Sequence, residues 1–364
     1  MNKPAVQVRL YPHMYDWRST AKTNWLCAIA LLPVLAFSVG LYGLSAAYVW
    51  LSSISAALFS QLLADAFARR LSAQDGSFLI TGIIVGALMP PGIALHVPAI
   101  ASIFAILVAK AFFGGYGKNW INPALSGVAF AYANWPAAMR NFVLPRALSG
   151  VDGMSAVTPL TLARGIESSS ALGAMDAIHS MGYPLSGIDE AVTSFLNDVL
   201  FLPLGARLPE GYIDMIVGLR PGTLGESALL AVLAGSIVLM TLRLIKAEIP
   251  LAMIGSFSLL AAVFGTGLPG EELFHGDVLF ALTSGGFLFA AVFVATDPVS
   301  SPLSRRMAGL YGALVGVLSF VFRKWGGYAE GTVYAILIMN ALVPSMERRI
   351  SPLIHGKITG MNHE

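Results

Sequence analysis

The sequence predicts an all-α integral membrane protein: about ten transmembrane helices in two five-helix inverted repeats, separated by a long extracytoplasmic insertion. Three observations carry this. Only 12% of the 364 residues are charged and 56% are hydrophobic, whereas a soluble domain carries about 25% charged residues. Eight stretches contain no Asp, Glu, Lys or Arg: 23–64, 77–109, 119–139, 227–242, 249–270, 278–296, 307–322 and 331–346. A polar segment punctuated by Pro, Gly and Ser, from about 137 to 225, divides them into two groups.

Residues 1–22 read as a cytoplasmic N-terminal segment with Lys3, Arg9, Arg18 and Lys22; they lack the apolar stretch and cleavage site of a signal peptide, so the first helix stays as an anchor. Residues 23–136 form the first membrane repeat. A helix needs roughly 20 apolar residues to cross a core about 30 Å thick, so the 23–64 block holds two spans turning near Gly40 to Ser45. The 77–109 block breaks at Pro90-Pro91-Gly92, where two successive residues lack an N–H. That leaves 77–89 short for a span and suited to burial in protein. Residues 137–226 are the insertion, with short amphipathic helices expected around Ile178, Met181, Phe195, Leu196 and Val199 and no separately folding domain. The second membrane repeat is 227–346 and the cytoplasmic tail 347–364.

Cytoplasmic loops carry excess Lys and Arg. An inside N-terminus puts Arg69, Arg70, Lys110, Lys118, Arg243, Lys246, Arg305, Arg306, Arg348, Arg349 and Lys357 inside, leaving Arg323 and Lys324 in a short outer loop. The insertion then faces the periplasm. Five is odd, so the halves run in opposite directions; an interrupted third segment recurs (78–91 against 287–302), as does an Asn with a Pro in the fifth helix (Asn122-Pro123 against Asn340 and Pro344). Broken helices in such repeats place ligand sites near the pseudo-symmetry axis.

Several residues stand out from this frame. Asp297 follows a long uncharged helix, and an intramembrane carboxylate marks a functional site by default. It is a candidate for an Na⁺ or H⁺ path, with Asp65 and Glu226 behind it; a plain helix-break cap is the alternative. Thr81, Gly82, Asn119, Asn122 and Asn340 are small or polar positions in apolar helices, suited to helix packing or to a ligand. Lys110 reads as a side chain snorkelling to the surface. Cys27 is the sole cysteine, excluding an internal disulfide and four-Cys iron–sulfur ligation. The six histidines show no metal-ligand spacing, so no metal site is expected, and nothing points to nucleic acid.

Four passages, in order, carry a family resemblance: Asp75-Gly76-Ser77-Phe78-Leu79-Ile80-Thr81-Gly82 leading to Pro90-Pro91; Gly117-Lys118-Asn119-Trp120-Ile121-Asn122-Pro123-Ala124; Asp152-Gly153-Met154-Ser155-Ala156-Val157-Thr158; and Ala295-Thr296-Asp297-Pro298-Val299-Ser300-Ser301-Pro302. With Pro221-Gly222-Thr223-Leu224-Gly225-Glu226-Ser227, they span the chain from Asp75 onward. The chain resembles the D-type membrane component of Rnf electron-transport complexes, a family related to the B-type component of the sodium-pumping NADH:quinone oxidoreductase. That resemblance implies FMN joined through its phosphate to a threonine hydroxyl by a separate flavin transferase, which reads Asp-x-x-Ser/Thr-Gly-Ala-Thr. Asp152, Ser155 and the acceptor Thr158 match; Ala156 and Val157 depart from Gly and Ala. Read locally, the segment is an ordinary Ser/Thr turn, with Thr158 accessible in an exposed loop and extended before Pro159. Gly222, Thr223 and Gly225 open the sixth helix on the same side, where free N–H groups suit a phosphate or an N-cap with Glu226 in the first turn.

The resemblance implies a non-autonomous subunit of an inner-membrane translocase, a ferredoxin:NAD⁺ oxidoreductase. It would pass electrons through covalent FMN, and through noncovalent riboflavin among the helices, coupled to Na⁺ or H⁺ transport. Partners would be a periplasmic flavin subunit and other membrane subunits of the Rnf complex, within a lipid bilayer. No Gly-rich dinucleotide fingerprint is present, so NAD and ferredoxin chemistry belong to those partners. The alternatives are the B-type component of the quinone-reducing pump, disfavoured by the short N-terminal segment, a cofactor-free small-solute transporter or channel, and a purely structural membrane subunit.

Overall fold

A computed structural model describes residues 19–69, 71–149, 155–165, 175, 178–179, 184–265, 274, 276–326 and 331–355. Helix α1 (Thr20–Tyr42) begins where the Ser19 side chain accepts the N–H of Lys22, satisfying one of the orphan donors of a helix start. It ends at Gly43, whose φ of 70° is open to glycine and whose N–H returns to Val39 O at 2.7 Å. Helix α2 (Leu44–Ala68) follows at once, so the 23–64 block does hold two helices, turning at Gly43.

Both are patterned inside out. Ile29, Leu32, Leu51 and Phe59 point outward, while Ser38, Ser53, Ser60 and Gln61 are buried. Apolar lipid offers no drive to hide Leu, so small and polar residues take the helix–helix interfaces instead. Among the described residues three helices are long and apolar enough to cross a membrane by themselves: α1, α2 and α13 (Arg305–Trp325). The other apolar segments are shorter: α3 (Ser77–Ala87), α4 (His96–Ile106, prolonged by a π turn Leu107–Ala111), α5 (Pro123–Asn134), α9 (Leu229–Thr241) and α10 (Glu248–Phe264). Helix α3 shows why a short segment suffices. Eight of its 11 residues are buried in protein, so its ends are satisfied by neighbours rather than exposed to lipid.

The two halves pack alike. Helix α2 lies against α3 and α4, and α4 against α5; in the second half α10 lies against α11 (Val278–Thr283) and α13, and α13 against α14 (Thr332–His355). Helix α1 packs on α3, while α9 packs on α12 (Phe287–Phe289) and its π turn Ala290–Val294; α1 meets α9 and α5 meets α14 across the halves. Close approach rests on small residues: a Cβ on Gly312 or Gly316 of α13 would fall 2.4 Å from a backbone oxygen of α10, Ile249 O or Met253 O.

The third segment of each half is interrupted, and the two run antiparallel. Helix α3 starts at Ser77, beside a cavity, and ends at Ala87 to Met89, which meet the 221–227 loop: Leu224 N donates to Met89 O at 3.1 Å and Gly225 N to Ala87 O at 2.7 Å. The second-half segment breaks at Ser284-Gly285-Gly286, where Gly285 N donates to Glu226 of that loop at 2.8 Å, and then runs to Val294 and Asp297 at the cavity. Sequence reading placed this interruption at the prolines; the sharper one is the glycine pair. The Asn122/Asn340 correspondence also fails at the level of local role. Asn122 caps the start of α5, its Oδ1 accepting Leu125 N at 3.2 Å, whereas Asn340 lies within α14 and accepts from Tyr311 OH at 2.6 Å.

Among its described residues the insertion carries a two-residue antiparallel ladder of β1 (Phe142–Val143) with β2 (Ser155–Ala156), a single helical turn at Arg146–Ser149, and the longer helices α6 (Pro159–Gly165), α7 (Gly187–Leu196) and α8 (Tyr212–Val217). Its small core joins Leu160, Ala163, Met175, Ile178, Tyr212 and Met215 to Phe280 of α11. This core seats the insertion on the second half, while Val143 lies against Gly92 and Arg146 against Gly43 of the first half. Residues 218–229 are buried throughout and belong to the bundle rather than to the polar segment.

Candidate functional site: a cavity between two interrupted helices

The polar cavity lies where the start of α3 and the end of α12 meet α1, the end of α4 and the turn before α5. It offers about 60 Å³ of space to water-sized groups, enough for a few waters. Thr81, Asn119, Asn122 and Asp297 all line it, so four residues singled out in the sequence converge there from three separate segments. Asn122 Nδ2 reaches across to Val294 O at 3.4 Å, tying the first half to the end of the second-half segment. Asn119 Nδ2 is held by Ile121 O at 3.2 Å, but its Oδ1 is buried without a partner. A buried acceptor left unmade costs about 1–3 kcal/mol, which a ligand N–H or O–H would recover. Asp297 is half-buried and accepts from the Ser300 hydroxyl at 2.6 Å and from Ser300 N at 3.2 Å.

The sequence reading missed the rest of the wall. Lys110 does not snorkel: it is 2% exposed, and its Nζ donates to Gln61 Oε1 at 2.8 Å and Ser77 Oγ at 2.5 Å. Asn24 donates to Asp75 O at 2.9 Å and accepts from Tyr116 OH at 3.0 Å. The signal was present, since Lys110 closes a 33-residue charge-free run, 77–109, and an ionisable residue at such a place is a functional suspect.

Other candidates fall elsewhere. Gly82 and Asn340 are helix-packing positions: a Cβ on Gly82 would sit 3.0 Å from Ile54 Cα, and Asn340 joins α13 to α14 through Tyr311. Asp65 is saturated by Gln61 Nε2 at 2.9 Å, Ser72 N at 2.8 Å, Ala73 N at 2.9 Å and the Ser72 hydroxyl, so it shapes the α2–α3 turn. Glu226 forms a buried ion pair with Arg220 at 3.1 Å while accepting from Gly285 N and, at 3.2 Å, from Thr223 N. Tyr42 OH completes that knot, bonding Arg220 O at 2.8 Å and Ser227 Oγ at 2.6 Å. The N–H groups of Thr223 and Gly225 are therefore spent on protein acceptors, and α9 begins only at Leu229. Those two N–H groups are not free for a phosphate, which corrects the expectation of an open helix start, although the Thr223 hydroxyl is buried without a partner; Gly222 packs on the Glu226 carboxylate, where a Cβ would sit 2.9 Å from it.

Of the attachment segment, Asp152 lies outside the described residues, and Ser155 pairs in β2. Thr158 is not in an exposed loop: it is 5% exposed, and its Oγ1 accepts from Thr161 N at 3.3 Å, capping α6, and lies 2.8 Å from Thr161 Oγ1. Val157 and Thr161 beside it are exposed. Arg323 and Lys324 also depart from a plain outer loop. Arg323 is buried, donates to Ala281 O and stands 4.9 Å from the Phe257 ring centroid; Lys324 donates to Phe264 O.

Helix α1 runs from the cavity at Asn24 to the knot at Tyr42, about 27 Å at 1.5 Å per residue. A bundle of inside-out helices with a polar cavity at one end and a protein-filled insertion at the other defines an integral membrane subunit built around buried polar sites. The chain belongs to the NQR2, RnfD, RnfE family, whose model matches residues 7–356. It is 33% identical over 344 residues to the D component of the ion-translocating oxidoreductase complex of Stutzerimonas stutzeri, covering 90% of each chain. It is 31% identical to the D component of the proton-translocating ferredoxin:NAD(+) oxidoreductase complex of Clostridium ljungdahlii, covering 95% of this chain and 94% of that one. To the Na(+)-translocating counterpart of Acetobacterium woodii it is 29% identical, covering 98% and 97%. Similarity this even does not select the ion.

Proposed function

We propose that this chain is the D-type membrane component of an ion-translocating ferredoxin:NAD⁺ oxidoreductase, inactive alone and working beside a periplasmic flavin subunit and further membrane subunits. The observation that carries this reading is the cavity between antiparallel interrupted helices with the orphaned Asn119 acceptor, in a chain whose relatives bear that component's name along nearly their whole length. Opposite direction of the third segments, with like packing around them, supports two inverted repeats, the arrangement in which midplane sites form at broken helices. Lys22, Arg69, Lys118, Arg243 and Lys246 flank the cavity end of their helices, which makes that end cytoplasmic by the positive-inside rule. The insertion then faces the periplasm, with the chain in the bacterial inner membrane.

FMN esterified at Thr158 would supply electron transfer; Val157 and Thr161 beside it are exposed, which gives a transferase an approach. A noncovalent riboflavin is the second flavin of this reading, but the cavity, at about 60 Å³, admits a few waters and does not fit a three-ring system. The orphaned Asn119 Oδ1 is an open acceptor there for a smaller N–H or O–H donor. Asp297, with one carboxylate oxygen held by Ser300, is the residue proposed for the Na⁺ or H⁺ path.

Fluorescence of a denatured gel band from cells expressing the flavin transferase tests the covalent arm. The wild-type band fluoresces and Thr158→Ala stays dark at equal expression, with a fold-stability change of about 1 kcal/mol from the lost cap. A dark wild-type band overturns it in favour of a cofactor-free transporter.

A further inference from the structure

Helix α7 and the π turn that prolongs it (Asn197–Phe201) carry three stripes of different chemistry, each at helical spacing. Asp189, Thr193 and Asn197 face protein. The buried Asp189 carboxylate accepts Gly211 N at 2.6 Å and Asp214 N at 3.1 Å, and Asn197 exchanges two hydrogen bonds with the backbone of Leu208, at 2.8 and 3.0 Å. Glu190, Ser194 and Asp198 form an exposed polar stripe. Ile188, Val192, Phe195 and Val199 form an apolar one that is also exposed, Phe195 by 62% and Val199 by 61%. Leu202, in the turn that follows, continues it.

The apolar stripe is held outward. Rolling α7 to bury it would pull Asp189 from its two N–H donors and strand a buried carboxylate. Ser186, which caps α7 by accepting Asp189 N at 3.1 Å, is itself tied to Asp214, to which its own N–H donates at 2.8 Å. A contiguous apolar stripe kept at the surface marks an interaction site. Its neighbours say with what. Helix α8, on which α7 packs, lies along the membrane segment α11: Thr283, the last residue of α11, donates to Met215 Sδ at 3.8 Å, and Tyr212 joins Phe280 in the small core. Both α11 and α9, against which α8 packs, present exposed leucines of their own, Leu279, Leu230 and Leu233. The lipid that meets those leucines reaches the elements that hold α7. One face on protein, one apolar and one polar suit a helix at the edge of a bilayer.

We propose that α7 lies in the lipid–water boundary of the extracytoplasmic leaflet, with Ile188, Val192, Phe195 and Val199 among the acyl chains and Glu190 and Asp198 among the headgroups. The choice of leaflet rests on the reading above that places the insertion outside. Charge narrows the lipid. No Lys or Arg occurs from 165 to 206, so the basic residues that bind such helices to anionic lipid are missing. The acidic stripe fits zwitterionic headgroups, whose ammonium groups meet Glu190 and Asp198. Because the same small core joins α8 to α6 through Leu160 and Ala163, this seat sets the height of Thr158 at the membrane surface.

The test is site-specific photo-crosslinking in membranes that contain the whole complex, with p-benzoylphenylalanine in place of Phe195, Val199 or Ser194. After irradiation at Phe195 or Val199 the subunit should keep its gel mobility and gain the mass of a zwitterionic phospholipid, whereas Ser194, on the polar stripe, should gain little. A cross-link from Phe195 and Val199 to another subunit makes the stripe a protein-binding surface and overturns the proposal. An adduct formed as readily at Ser194, one that is chiefly anionic lipid, or none at either apolar position overturns it too. Ser194→Cys, labelled in spheroplasts with a membrane-impermeant maleimide and read on the denatured band against the native Cys27 alone, tests the orientation separately. Labelling before lysis supports the leaflet named here; labelling only after lysis overturns it, even where lipid adducts form.

Discussion

At the insertion end, α3 and the α11–α12 segment close on one loop whose charges are paired directly: Leu224 and Gly225 donate to the α3 carbonyls, and Glu226 binds Gly285 while neutralising Arg220, although the Thr223 and Ser284 hydroxyls are buried without hydrogen-bond partners. At the far end, the same two segments close on a cavity that leaves Asn119 Oδ1 without a partner, and Lys110 meets its acidic neighbours Asp65 and Asp75 only through Gln61 and Ser77. Both ends bury charge within apolar surroundings, but only one neutralises it locally. A bundle that can seal one end with an ion pair and backbone bonds has the means to seal both. What sets the cavity end apart is open space beside charge that is bridged rather than paired, which makes it the candidate place for a small ligand.

The sharpest way to break this contrast is at the seal. Removing one partner of a buried ion pair strands the other and costs about 3–5 kcal/mol. Arg220→Met or Glu226→Gln should accordingly lower the thermal midpoint of the detergent-solubilised protein steeply, while the double variant recovers part of the loss, the mark of coupled residues. A smaller effect is expected from Gly225→Leu, whose Cβ would begin 3.0 Å from Ala87 Cβ and drive the loop from α3; overpacking of this kind costs about 1–3 kcal/mol. The least effect on stability belongs to the open end. Asn119→Ala removes an orphaned acceptor together with one hydrogen bond, so the midpoint should shift by no more than about 1 kcal/mol equivalent, while turnover of the assembled complex falls roughly tenfold. Unchanged turnover would make Asn119 a packing residue.

Much of this was legible in the chain. Composition gave the membrane class, the charge-free runs located the helices, and Pro90-Pro91 marked the end of α3, because each depends on residues adjacent in sequence. Asn119, Asn122 and Asp297 were picked out as polar residues in apolar surroundings, and they converge. The errors share a cause. Thr158 looked exposed because its loop is polar, yet α6 packs on Phe280, more than a hundred residues away, and draws its cap inward. Gly222, Thr223 and Gly225 looked like a helix start awaiting an anion, but their partners come from α3 and from Glu226. Lys110 looked like a surface lysine because nothing nearby in sequence could receive it; Gln61 lies 49 residues back, on another helix.

The sequence by itself determined which segments leave water, since transfer of apolar side chains depends on composition over some twenty residues, and it determined where the chain must break, since proline and glycine act on their own backbone. Tertiary structure alone decided which buried polar groups are satisfied and which are left over. Hydrogen bonds and ion pairs reach only about 3 Å, and the partners that satisfy Glu226, or fail to satisfy Asn119, are set by how distant helices cross.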